Sequence, residues 1–195
     1  MRTGHRTIGA LVLGALVATL LGGCAQSDST TPACDDPGGR AIVLIAQSVP
    51  TATRLPCLES LPAGWSLGGA EVRDSGTAFW LDSVVIGIHS VEVTLTETCD
   101  VAGASAVVPA EDEAGAQVSV LPTSLDPYRS SRFIVFEGGC VTYRYAFSGG
   151  TAATVALQID ASLSFLPRDA VGLAVREDTE QTLCGAGAPP CVEGP

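Results

Sequence analysis

The order of apolar and polar residues predicts a domain built mostly of short antiparallel strands. Residues 90–97 carry the clearest pattern, because Val91, Val93 and Leu95 alternate with polar residues. A period of two turns one set of side chains toward a core and the other toward solvent. We therefore expect a half-buried strand here.

Turn residues separate other segments of the same kind. Asp74-Ser75-Gly76 stands between two short strand-like runs and predicts a hairpin, and Gly138-Gly139 predicts a second turn. After that turn, Tyr143, Tyr145 and Phe147 share one face of a strand. The expected strands cover residues 70–73, 77–81, 117–121, 132–136 and 140–147.

Three further segments are assigned from their composition. Residues 41–46 form a short apolar run, which suits a buried strand. Residues 50–67 contain three prolines and Gly64 and are expected to be irregular, with Cys57 and Trp65 holding them to the core. Residues 101–116 are rich in alanine, glycine and acidic residues and predict a surface excursion.

Residues 152–166 support two interpretations. Val155, Ile159, Leu163 and Leu166 form a stripe with helical spacing, yet every second residue from 155 to 165 is also apolar. Alanine content and the closing Pro167 favour a helix. A segment of this length would also be unusually long for a single strand. A second short helix is expected at residues 169–177.

These elements predict an α+β fold: a mainly antiparallel β-sheet domain with one or two C-terminal helices, stapled by disulfides. The alternative is an all-β sandwich, which would follow if residues 152–166 form a strand.

A separate pattern marks the first 24 residues. Arg2 and Arg6 give a basic start, and residues 8–21 are almost wholly apolar but too short to cross a bilayer as a helix. The run ends in Leu21-Gly22-Gly23-Cys24, which resembles the lipobox of bacterial lipoproteins. The resemblance implies cleavage before Cys24 and attachment of a diacylglycerol to its thiol. The mature protein would then be held to the cell membrane, facing outside the cytoplasm.

The resemblance divides the chain into three parts. Residues 1–23 would be a signal peptide, residues 24–33 the lipidated cysteine with a flexible tether, and residues 34–195 one extracytoplasmic domain. Loss of Arg2 and Arg6 leaves an even more acidic chain. Such a chain repels anionic headgroups, so we expect the lipid on Cys24 to make the membrane contact.

Six cysteines remain in the extracytoplasmic part. An even number outside the cytoplasm indicates disulfides, although the sequence alone does not select among the possible pairings. The preferred pairs join neighbours along the chain: Cys34–Cys57, Cys99–Cys140 and Cys184–Cys191. A zinc site is disfavoured, because no Cys-x-x-Cys spacing occurs and the mature chain has one histidine.

Composition excludes several classes of function. The chain has ten arginines but no lysine, and it has no asparagine. A Walker-type phosphate loop, a Schiff-base lysine and N-glycosylation are therefore excluded. The formal net charge of −11 argues against nucleic acid as a partner, because phosphate binding depends on basic patches.

Candidate catalytic groups are few. His89 precedes the apolar face of a strand and is expected to be a packed or edge residue, and no Gly-x-Ser-x-Gly motif accompanies it. Glu71, Asp74 and Asp82 surround the predicted hairpin and could face a cleft, as paired carboxylates of a hydrolase do. The alternative is that they belong to a solvated acidic surface. We assign no catalytic residue.

Acidic clusters and aromatic residues offer weaker sites. Residues 35–36, 111–113 and 177–180 carry the clusters, but none has the spacing of an EF-hand loop, so no metal site or cofactor is assigned. Aromatic side chains can stack on sugars, although a chain with so few needs most of them in its core. The candidates are Trp65, Trp80, Tyr128, Tyr143 and Tyr145.

The absence of a catalytic motif favours a non-enzymatic binding or interaction module of the cell envelope. Its partner would be an envelope protein or a cell-wall polymer. The alternative is a carboxylate-dependent envelope hydrolase, which requires a pocket lined by acidic residues. A two-lobed solute-binding protein would need a larger, more helical chain.

Overall fold

Residues 30–147 and 152–191 are described by the structure, which is a computed structural model of the chain. The predicted signal peptide, Cys24 and the first part of the predicted tether lie outside these ranges. A short 3-10 turn occurs at Glu111–Glu113. The other elements are α1 (Arg40–Ser48), β1 (Arg54–Leu58), β2 (Trp65–Arg73), β3 (Gly76–Ser83), β4 (Gly87–Thr96), β5 (Ser105–Val107), β6 (Gln117–Leu125), β7 (Tyr128–Phe136), β8 (Gly139–Phe147), α2 (Ala152–Asp160), β9 (Leu163–Pro167) and α3 (Arg168–Thr179).

Seven strands form one antiparallel sheet in the order β2-β3-β4-β8-β7-β6-β5, and β1 pairs with β9 in a second, two-stranded sheet. Helix α1 and the small sheet contact one face of the large sheet, which we call its inner face, and α3 packs on α1 and β9. The side chains of Phe79, Leu81, Val91, Val93 and Leu95 are buried on this face. The fold is α+β with mainly antiparallel strands, as the sequence predicts.

Residues that alternate along the central strands fill the core. Val91, Val93 and Leu95 of β4 are fully buried, as their period of two predicts. On β8, next to β4, the expected aromatic face is also buried, and Tyr143 pairs with Val93 across the two strands. The predicted hairpin is confirmed, because β2 pairs with β3 through to Arg73 and Gly76.

Helix α1 corrects the prediction of a strand at residues 41–46. Ile42, Ile45, Ala46 and Val49 are buried, and their spacing is that of one helix face. A short apolar run does not distinguish a buried strand from a helix. The helix contacts β1, β2, β3 and α3, so tertiary packing decides its conformation.

Two other segments differ in part from their predictions. Residues 50–67 contain β1 and the start of β2, because Leu55 and Cys57 enter the core. Residues 152–166 satisfy both interpretations: α2 covers the first part and β9 the second, with a break after Asp160. The expected helix at 169–177 is confirmed as part of α3.

The three cysteine pairs are those preferred from the sequence. Cys34–Cys57 joins the N-terminal segment to β1, Cys99–Cys140 ties the segment after β4 to the start of β8, and Cys184–Cys191 closes a loop after α3. Ala33 also bridges Leu58. Paired backbone therefore begins just before the first disulfide.

Candidate functional site

The acidic residues proposed around the hairpin are engaged separately. Glu71 forms an exposed ion pair with Arg73 at 2.7 Å. Asp74 lies exposed in the turn, and Asp82 accepts a hydrogen bond from the backbone N–H of His89 at 2.6 Å. Glu71 and Asp82 are thus engaged by different partners, and no pocket of the described residues brings the three carboxylates together.

The proposed aromatic residues mostly serve the core. Trp65 and Tyr128 pack on Phe147, with ring centroids 6.1 and 5.8 Å apart. Trp80 is on the outer face of the large sheet, but His89 stacks on its ring at 5.3 Å. His89 is thus a packing residue, and the indole has one face covered.

A groove of about 750 Å³ follows the outer face of the large sheet. Its floor carries Thr94, Thr96 and Thr142, and the ion pair between Glu92 and Arg144 spans 3.0 Å between two strands. Two exposed ion pairs, Glu71–Arg73 and Glu92–Arg144, hold four of its five charged residues, and such pairs contribute little to stability.

A cavity of about 420 Å³ lies on the inner side of the same sheet, within the size range of small-ligand sites. It is formed where β7 and β8 meet the end of α2, the start of β9 and the 3-10 turn. We call it the Tyr143 cavity. Its polar lining comes from Glu59, Asp112, Glu113, Arg132, Tyr143, Asp160 and Ser164, and its apolar lining from Ala110, Leu157, Ala161 and Leu163.

A buried ion pair forms one side of the Tyr143 cavity. Arg132 donates from Nε and Nη2 to the two carboxylate oxygens of Glu113, at 3.1 and 2.6 Å. Glu113 also accepts the backbone N–H of Ala110 at 2.8 Å. Burial lowers the pKa of Arg132, but the hydrogen bond and charge of Glu113 outweigh it, so the net shift is upward. The pair is therefore a rigid wall of the cavity.

Asp160 supplies a second carboxyl group, at the last residue of α2. The hydroxyl of Tyr145 donates a hydrogen bond to its Oδ1. Burial raises the pKa of Asp160, while this hydrogen bond and the charge of Arg132 act in the opposite direction. Asp160 is a partly buried carboxyl with a raised pKa at the cavity wall, and it is therefore the candidate for chemistry there.

Tyr143 lies opposite Arg132 on the neighbouring strand and is only 3% exposed. Burial, followed by the charges of Glu113, Asp160 and Asp112, raises the pKa of its hydroxyl well above 10.0. Tyr143 also lines the cavity, and among the described residues no buried side-chain nitrogen or oxygen lacks a hydrogen-bond partner. Its side chain therefore forms part of the surface that a ligand in the cavity would contact.

The sequence names Tyr143 as an aromatic candidate and residues 111–113 as an acidic cluster, but it does not predict that they share a cavity with Arg132 and Asp160. The 111–113 cluster was assigned to a surface excursion, yet Glu113 is 4% exposed and pairs with Arg132. One signal was available: Arg132 alternates with Ile134 and Phe136, which places an arginine on the apolar face of a strand. A charge in that position needs a partner.

Within residues 30–147 and 152–191, no three histidine, cysteine or acidic side chains come together in an arrangement that could hold a metal ion. In the same ranges, no helix is both long enough and apolar enough to span a membrane.

Comparison of the chain with protein-family models gives no match, and neither curated proteins nor solved structures give one. The chemistry of the Tyr143 cavity therefore has to be inferred from its own residues.

Proposed function

We propose that this protein is a lipid-anchored extracytoplasmic binding module of the cell envelope, and that it holds a small polar ligand in the Tyr143 cavity. The observation that carries the proposal is the cavity itself, where the Arg132–Glu113 pair, Tyr143 and the carboxyl group of Asp160 converge beside apolar side chains. A concave site of this size with a few convergent polar groups is the usual form of a small-ligand site.

The arrangement around Tyr143 suits binding. Arg132 and Glu113 satisfy each other, and Tyr145 holds Asp160 in place. These groups are positioned before any ligand arrives, so little ordering cost opposes binding. The apolar side chains of the lining would contact the rest of a ligand.

The anchor is proposed from the lipobox-like sequence Leu21-Gly22-Gly23-Cys24. Mass spectrometry of protein extracted from its own membrane tests it. We expect the first residue to be Cys24 carrying a diacylglyceryl group, and we expect the substitution Cys24→Ser to release the protein from the membrane fraction. An unmodified chain that still begins with residues 1–23 would rule out the anchor.

The binding function is tested with the low-molecular-weight extract of the cell envelope. The wild-type protein, Tyr143→Phe and Tyr128→Phe are each incubated with the extract, desalted and weighed intact by native mass spectrometry. We expect a bound small molecule on the wild type and on Tyr128→Phe, and none on Tyr143→Phe. Tyr128 lies outside the cavity, so its variant controls for loss of a hydroxyl. No bound mass on the wild type, or equal binding by all three, would refute the proposal.

A carboxylate-dependent hydrolase is the second candidate. It is favoured by Asp160, whose raised pKa suits a general acid, and by the presence of Glu59 and Asp112 in the same cavity. The same experiment separates the two functions. A binding module releases its ligand unchanged, whereas a hydrolase releases fragments whose summed mass includes one water and stops doing so in Asp160→Asn.

A further inference from the structure

The loop between β3 and β4 exposes a cluster of aliphatic side chains. Val84, Val85 and Ile88 are 87, 84 and 81% exposed. Residues 83–88 contain no charged side chain, and we call them the Val85 loop. Single exposed aliphatic residues are ordinary on protein surfaces, whereas several within one uncharged loop indicate a contact surface.

Backbone hydrogen bonds hold the Val85 loop in this conformation. The hydroxyl of Ser83 accepts the N–H groups of Val85 and Ile86, both at 3.3 Å. The N–H of Val84 donates to the carbonyl oxygen of Gly64 at 2.9 Å. Ile86 packs against the core, so the loop is fixed to the domain while its other aliphatic side chains remain in water.

The N-terminal segment joins the domain close to the Val85 loop. Ala33 bridges Leu58, which is the last residue of β1. Gly64, whose carbonyl oxygen holds the loop, follows Leu58 by six residues. Six residues span at most about 20 Å, so the point where the N-terminal segment enters the fold lies within that distance of Gly64.

The proposed lipid anchor limits how far the domain stands from the membrane, and the present inference rests on that part of the proposed function. Ala33 is the ninth residue after Cys24, so the chain between them spans at most about 32 Å. A lipid on Cys24 would therefore keep the entry point, and with it the Val85 loop, near the surface of the bilayer.

A second turn at the same end of the large sheet also exposes an aliphatic residue. β8 pairs antiparallel with both β4 and β7, so β4 and β7 start at the same end of the sheet. The β3–β4 and β6–β7 turns therefore lie side by side, separated by three strand spacings, or about 14 Å. Leu125, at the β6–β7 turn, is 81% exposed. Both turns can thus meet one flat surface.

A bilayer is the occupant that the position and charge of the Val85 loop favour. The acidic domain as a whole is repelled by anionic headgroups. The uncharged loop enters between headgroups without carrying a charge out of water, and its aliphatic side chains gain by leaving water. We propose that the Val85 loop inserts into the surface of the bilayer that holds the lipid on Cys24, and that this second contact orients the domain on the membrane.

Tryptophan fluorescence in lipid vesicles tests the proposal. The wild type, Val85→Trp and Val108→Trp are each produced as the full chain and extracted from their own membrane. They are then reconstituted into phosphatidylcholine vesicles with or without bromine on the acyl chains, because bromine quenches an indole that enters the bilayer. The wild type gives the background emission of Trp65 and Trp80.

Val108 is the matched control. It is 89% exposed, but it follows β5 where that strand pairs with the start of β6, at the opposite end of the sheet from the Val85 loop. Tryptophan has the same preference for a membrane interface at either position, so the comparison isolates the position. We expect brominated lipid to cause a loss of emission from Val85→Trp and no loss from Val108→Trp.

A charge in the loop provides a second variant. Ile88→Asp, added to Val85→Trp, should abolish the loss of emission, because a carboxylate would have to leave water for the loop to insert. Val108→Asp, added to Val85→Trp, should leave the loss unchanged. Both substitutions change highly exposed side chains, so the fold is expected to be retained.

The absence of quenching in Val85→Trp, or equal quenching of Val85→Trp and Val108→Trp, would overturn the inference. A blue shift of the Val85→Trp emission that grows with protein concentration in detergent, without quenching in vesicles, would assign the loop to contact with a second copy instead. None of these results decides the proposed function. The mass of the N-terminal peptide tests the anchor and the envelope extract tests ligand binding, each independently of the Val85 loop.

Discussion

The hydroxyl of Tyr145 on β8 donates a hydrogen bond to the carboxyl group of Asp160 at the end of α2. This contact joins the central strand of the large sheet to the helix that precedes β9. It also places a titratable carboxyl beside the Arg132–Glu113 ion pair. The stability of the domain should therefore respond to the protonation of one residue.

Asp160 is expected to make the domain less stable as the pH rises. Its pKa is raised above the ordinary value of 3.8, chiefly by burial, so the folded state favours the protonated form. The stabilising contribution is complete below pH 3.8 and is lost as the pH rises through the raised pKa. Asp160→Asn removes this loss and keeps an acceptor for Tyr145. The difference between the Tm of Asp160→Asn and the Tm of the wild type should therefore increase from acidic to neutral pH.

Asp74→Asn is the control for that experiment, because Asp74 is exposed in a hairpin turn. Its Tm difference from wild type should not follow the same pH course. A constant difference between Asp160→Asn and wild type across the range would contradict the assignment.

Breaking the ion pair between Arg132 and Glu113 should be costly. Their side chains are 19% and 5% exposed, so Glu113→Met leaves a largely buried guanidinium without a partner. We expect a loss of about 3 kcal/mol in the free energy of unfolding, measured by urea denaturation. The double variant Arg132→Met/Glu113→Met should recover part of it, because no unpaired charge remains. A double variant as unstable as the sum of the single variants would argue against this account.

Arg168 at the start of α3 holds the end of α1. Its guanidinium donates to the carbonyl oxygens of Ala46 at 2.7 Å, Val49 at 3.4 Å and Cys184 at 2.6 Å. Arg168→Met should cost about 3 kcal/mol, because it leaves these carbonyls without their donor. Arg176→Met changes an exposed arginine of the same helix and should change stability by less than about 0.5 kcal/mol. Equal effects of the two substitutions in urea denaturation would be evidence against the capping role.

Two glycines offer a matched test of backbone constraint. Gly138, in the β7–β8 turn, has φ +77°, and a Cβ there would overlap the carbonyl oxygen of Thr51. Gly138→Ala should therefore destabilise the domain by about 2 kcal/mol or more. Gly172 is helical with open space around it, and Gly172→Ala should stabilise by about 0.5–1 kcal/mol. In thermal unfolding, Gly138→Ala should have a lower Tm than the wild type, and Gly172→Ala should have a higher one.

The disulfides should differ in their contribution to stability. Cys99–Cys140 joins residues with a sequence separation of 41, whereas Cys184–Cys191 joins residues with a sequence separation of 7. On loop-closure entropy, replacing the first pair by serines should cost about 4 kcal/mol and the second about 2 kcal/mol. Chemical denaturation of the two double variants provides the comparison. A larger loss from the short loop would show that native packing, rather than loop length, sets the contribution.

Local pattern by itself determined much of the architecture. The alternation of Val91, Val93 and Leu95 predicts β4 and its buried face. The preferred pairing of cysteines that are neighbours along the chain is the pairing that the structure has, although the sequence alone did not select it. Hairpins join neighbouring segments, so their residues carry the necessary information within a few positions. The α+β class follows from these elements.

Tertiary structure alone decided the remainder. Residues 41–46 are apolar enough for either a strand or a helix, and packing against β1, β2, β3 and α3 selects the helix. The Tyr143 cavity brings together Glu59, Asp112, Arg132, Tyr143 and Asp160 from five separate segments. The desolvation that raises the pKa of Asp160 exists only once those segments have packed, because burial is a property of the assembled core and not of any local sequence.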